Sequence, residues 1–122
     1  MKRFLPLVIT LALGQALQAQ KMRDVFAAMP DSVLGIMTKN NRLDCIDFIE
    51  NTMAAKVHNR FDGDTELKAL TVDYLELQLT KNCRVEMKLL PSEDTLYYIC
   101  VARTYSGPMA ETKVALYTPD WE

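Results

Sequence analysis

The chain has 122 residues, 14 Lys and Arg against 16 Asp and Glu, a formal net charge of −2 and 49% hydrophobic residues. Its basic residues are dispersed, without the cluster that releases counterions from a polyphosphate, which excludes nucleic-acid binding from the expected functions. Regular apolar periodicity with only 4 Gly and 5 Pro excludes disorder and points to a folded domain.

Residues 1–19 read as an export signal. Lys2 and Arg3 precede an apolar run from Phe4 to Leu13 and a small-residue stretch containing Ala16 and Ala19, the three parts of a secretory leader. The run is shorter than the roughly 20 apolar residues that span a bilayer, so no transmembrane segment is expected once it is removed. Cleavage is expected after Ala19, with Ala16 as the competing position. Residues 20–122 then form a single α+β domain, about 100 residues being enough for one modest core. Loss of Lys2 and Arg3 makes the mature chain more acidic. The expected destination is the periplasm, the outer membrane or the exterior.

Residues 21–60 carry helical spacing. Met22, Val25, Phe26 and Met29 recur at three and four residues, and Pro30 stops that helix. Residues 30–38 offer a short second helix, with Asp31 or Ser32 as cap and Val33, Leu34, Ile36 and Met37 as its apolar face, weakened by Gly35. A third helix is expected over roughly residues 42–56, capped by Asn41 and presenting Leu43, Ile46, Ile49 (or Phe48) and Met53 on one face. At 61–64, "FDGD" is a turn in which Asp-Gly supplies a positive φ.

From 67 to 119 the period is two. Leu75, Leu77 and Leu79 alternate with Glu76, Gln78 and Thr80; Cys83, Val85, Met87 and Leu89 alternate with Arg84, Glu86 and Lys88. "DTLYYICVART" and "ETKVALYT" supply a third and a fourth strand. The expected fold is therefore α+β, with N-terminal helices packed on a four-stranded antiparallel β-meander, because each layer's apolar face needs the other. The third strand is apolar on both faces, which leaves its register open. If residues 90–93 form the hairpin loop, Cys83 lies opposite Cys100. That register makes the pair a candidate disulfide, with two buried thiols on the core face as the alternative. Cys45, between apolar helical neighbours, reads as a small core residue.

The remaining candidates for chemistry are weak. Asp44, Asp47 and Glu50 form an acidic stripe that suits capping and solvation better than calcium or paired-carboxylate work. "FDGDTE" lacks the ligand spacing of a calcium loop, the cysteines lack zinc spacing, and His58 has no nucleophile at a useful distance in sequence. No catalytic residue, metal or cofactor is assigned. Tyr97, Tyr98, Tyr105, Tyr117 and Trp121 concentrate in the sheet and form the candidate binding surface, ordinary strand propensity being the competing explanation.

The segments "MPDS", "TKNNRLDCIDFIEN", "VDYLELQLT", "EMKLL" and "YTPDW" together resemble a family of secreted Bacteroidales proteins catalogued as domain of unknown function 3256. Members of that family continue past the Asp120-Trp121 element, whereas this chain stops at Glu122, as a short or truncated member would. The resemblance implies export and assigns no catalytic or binding residue. The expected function is a non-enzymatic cell-envelope module that binds a partner protein through a sheet edge or the aromatic face. An alternative is a carrier of apolar ligand, such as lipid, held between helices and sheet, where Met22, Met29, Met37, Met53 and Met87 would be adaptable linings. A hydrolase is the third reading. Oligomeric state is left open.

Overall fold

The computed structural model describes residues 21–122, so the expected export signal, residues 1–19, lies outside the described residues. Two helices, α1 (Lys21–Ala27) and α2 (Lys39–Glu50), precede six strands: β1 (Ala55–His58), β2 (Asp64–Leu70), β3 (Tyr74–Thr80), β4 (Cys83–Pro91), β5 (Tyr97–Tyr105) and β6 (Glu111–Tyr117). The strands form one antiparallel sheet in the order β1-β2-β3-β4-β5-β6. The α+β class matches expectation, but the sheet has six strands rather than four. The two additional strands come from the segment read as helix end and turn.

Thr38, not Asn41, starts α2. Its hydroxyl accepts from the Asn41 amide at 3.1 Å while the Asn41 side-chain oxygen accepts from the Thr38 amide at 3.1 Å, a reciprocal cap that satisfies two exposed helix-end donors. The buried face differs from the expected one in part: Arg42 and Cys45 turn inward with Ile46, whereas Leu43 is 41% and Met53 58% exposed. The helix ends at Glu50, and Thr52, at φ 58, reverses the chain into β1.

Residues 30–38 are successive turns instead of a helix, closed by Val33 N–H to Pro30 O at 3.1 Å and Met37 N–H to Leu34 O at 3.0 Å. Pro30 and Gly35 weaken helix here, and buried Arg42 holds the turns in place. One of its terminal nitrogens donates to Met29 O at 2.5 Å and the other to Asp31 Oδ1 at 2.9 Å. Val33, Leu34 and Met37 still reach the core.

That core lies between the helical layer and one face of the sheet. Met22, Phe26, Met29, Leu34 and Met37 pack with Leu75, Leu77, Val85, Met87, Ile99 and Val101, each no more than 1% exposed. Burial of side chains this size stabilises by roughly 1.5–3 kcal/mol each.

The β4–β5 register corrects the expected cysteine pairing. Cys83 lies opposite Tyr105 and Cys100 opposite Lys88. Strand β4 runs on to Pro91, which pairs with Tyr97, so the hairpin loop lies after the expected one. The slip is an odd number of residues and reverses the face of β5. Cys83 therefore points into the core and Cys100 to the opposite face, and all three cysteines are free thiols.

Candidate functional site

Among the described residues strand β6 is hydrogen-bonded on one side only, pairing with β5 from Ile99↔Tyr117 to Tyr105↔Glu111. Helix α2 packs over β1 and β2, at the other side of the sheet. Residues Glu111 to Leu116 are consequently exposed on both faces of the strand. An edge of this length offers a row of backbone donors and acceptors to another chain.

The two faces beside that edge differ. On the face turned from the helices, Ala102 lies opposite Val114, Cys100 opposite Leu116, and Tyr98 opposite Leu90. Val114 is 63% and Leu116 59% exposed, which makes an apolar stripe open to solvent. On the core-side face, Arg103 lies opposite Lys113 and Val101 opposite Ala115. There Val101, Arg103, Tyr105, Lys113 and Ala115, with Val114 of the strand between them, line a shallow groove of about 280 Å³.

The five aromatic residues expected to share a surface are divided. Tyr98 faces outward, whereas Tyr97 and Tyr117 lie on the core side and pack against the core. Burial, with smaller contributions from Asp120 and Asp24, pushes the Tyr97 phenol up. Tyr105 is half-exposed at the far end of β5. Trp121 is 8% exposed: its ring packs at 5.2 Å from that of Tyr117, and its indole nitrogen donates to Val25 O at 3.1 Å. It plugs the end of α1 rather than presenting a binding ring.

The other candidates are dispersed. Asp44, Asp47 and Glu50 are exposed; Glu50 pairs with Arg23 at 2.5 Å, which pushes the guanidinium further up, and Asp47 accepts from Asn51. Among the described residues no group of three His, Cys, Asp or Glu is placed to hold a metal ion. His58 is a solvated member of β1, near Asp62 at 3.2 Å and Asp64 at 3.7 Å. Cys45 is fully buried, and desolvation pushes its thiol up to about 11, which keeps it a protonated thiol rather than a nucleophile. "FDGD" is the β1–β2 hairpin turn, but Asp62, not Gly63, has the positive φ, at 61°.

Sequence reasoning missed three buried polar side chains that organise this end of the fold. Arg42 anchors the turns. Asn59 accepts from the amides of Phe61 and Gly63 at 3.0 and 3.1 Å and donates to Thr65 Oγ1 at 3.0 Å. Thr65 in turn donates to Leu79 O at 2.7 Å. Their only sequence signal is polarity at positions where the neighbouring periodicity calls for burial.

The family described as "Protein of unknown function (DUF3256)" matches residues 14–122. No curated protein matches the chain. A solved structure, described as a domain of an uncharacterized protein from Porphyromonas gingivalis W83, is similar with a TM-score of 0.69 and 26% sequence identity. The similarity covers 84% of this chain and 53% of that one, so this chain spans about half the length of the Porphyromonas chain.

Proposed function

Taking as premise that the chain belongs to the DUF3256 family, we propose that it is an exported, non-enzymatic cell-envelope module that binds a partner polypeptide by adding the partner's strand to β6. The observation that carries this reading is the open edge of β6, flanked by the exposed side chains of Val114 and Leu116. Backbone pairing along an edge supplies affinity, and the alternating side chains supply selectivity. Met22, Met29, Met37 and Met87 are buried within the core while Met53 is 58% exposed, which favours the edge over an apolar ligand held between helices and sheet. The buried, protonated Cys45 and the solvated His58 argue in the same direction against a hydrolase.

The test compares wild type with a Val114→Lys/Leu116→Lys variant, both immobilised and exposed to solubilised native envelope. Lysines on an edge strand oppose strand addition, and both positions are exposed enough to accept them without unfolding. Envelope polypeptides retained by wild type and lost by the variant are expected; equal retention contradicts the reading.

A further inference from the structure

The charge beside the β6 edge specifies what kind of strand fits there. Arg103 and Lys113 stand directly opposite one another on the core-side face, and like charges in that relation destabilise a strand pair. Arg103 donates through one terminal nitrogen to the Val33 carbonyl. Neither cation forms an ion pair with a carboxylate among the described residues. Glu111, the nearest acid by register, lies opposite Tyr105. The two cations line the same shallow groove, which lies over β5 and the edge strand β6. On the reverse face Val114 and Leu116 present only apolar surface.

From this geometry we infer that the strand added to β6 comes from a partner polypeptide that alternates acidic and apolar side chains. Its acids turn toward Arg103 and Lys113, and its apolar groups extend the Val114–Leu116 stripe. The inference rests on the strand-addition reading and gives it a partner chemistry. A second copy of this chain fits less well. An antiparallel twin of β6 centred on Lys113, Val114 or Ala115 places Lys113, Ala115 or Tyr117 opposite Lys113, and in none of these registers an acid. The register that sets Glu111 opposite Lys113 uses only the first residues of the strand.

Three fluorescently labelled octapeptides test this in anisotropy titrations against the full chain: alternating Val and Glu, alternating Val and Lys, and the Val/Glu sequence with N-methylated amides. The Val/Glu peptide is expected to bind about tenfold tighter than the Val/Lys peptide, as meeting rather than repelling exposed Lys113 and half-buried Arg103 implies. Its binding should weaken at high salt and vanish on N-methylation. Lys113→Glu should remove or reverse the preference, while circular dichroism remains that of wild type because the side chain is exposed. Equal binding of both charged peptides, abolished in each case by Val114→Lys/Leu116→Lys, would overturn the charge assignment and leave strand addition standing. Absence of binding by either would overturn both. A dimer in sedimentation velocity that Val114→Lys/Leu116→Lys dissolves would give the edge to a second copy and overturn the proposal.

Discussion

Replacing Trp121 with alanine should remove a large share of the domain's stability although the residue lies beyond the last strand. The indole is 8% exposed, packs on Tyr117 and donates to the Val25 carbonyl left over at the end of α1. Its own turn holds it there, with Trp121 N–H to Thr118 O at 2.8 Å and Thr118 N–H to Glu122 O at 3.1 Å. Truncating a buried tryptophan costs about 3–5 kcal/mol. Set against a total of roughly 5–15 kcal/mol, a loss of about 3 kcal/mol lowers Tm by roughly 12–24 °C for a domain of this size. Trp121→Phe keeps most of the ring packing but orphans the carbonyl, for about 1–3 kcal/mol. The assay is urea unfolding of each variant by circular dichroism, together with acrylamide quenching of the wild type, whose single tryptophan reports on this site alone. A loss under about 0.5 kcal/mol, which is the range of surface substitutions, combined with full quenching, would refute the plug and return Trp121 to the surface.

Titration of native protein with a thiol reagent should find Cys100 reactive and Cys45 and Cys83 protected, with all three reacting after denaturation; a Cys83–Cys100 bridge would leave one reactive thiol and refute the register. Tyr74 donates to Glu86 at 2.7 Å and to Glu76 at 3.3 Å, and the hydrogen bond to Glu86, helped by desolvation, pushes its phenol up to about 12. Because the folded state favours the neutral phenol, that contribution to stability is complete below pH 10, the ordinary value, and is lost as pH rises toward 12. Tyr74→Phe should flatten this part of the stability curve in alkaline unfolding titrations. Arg42→Met keeps much of the buried volume but removes the donors to Met29 O and Asp31. It should cost about 1–3 kcal/mol, with faster amide exchange confined to residues 29–38 as its signature.

Strands β3 and β4 were legible because each alternates over at least seven residues, enough for period two to stand out from period three and four, and β5 and β6 because their β-branched and aromatic residues lie between turn signals. β1 was not, since Ala55 and Val57 are only two inward positions and continue the helical spacing of Ile49 and Met53. β2 hid behind its own irregularity: its first inward residue is the polar Thr65, fully buried, and a bulge between Leu67 and Ala69 breaks the alternation. The cysteine register failed for a different reason. With apolar side chains on both faces of β5, pattern alone left its facing undetermined, and the length of β4 through Pro91 decided it. Of the candidate surface, a sheet edge can be expected from any open meander. The residues beside it cannot, because Trp121 and Tyr117 look alike in sequence to the exposed Tyr105, and only the fold turns the first two inward.

Hydrogen exchange of the whole chain with and without the Val/Glu octapeptide tests the role of β6 most directly. Strand addition predicts slower exchange across Glu111–Tyr117 in the complex, with the helices unchanged. Protection gained over α1 and α2, with β6 exchanging as before, would contradict it.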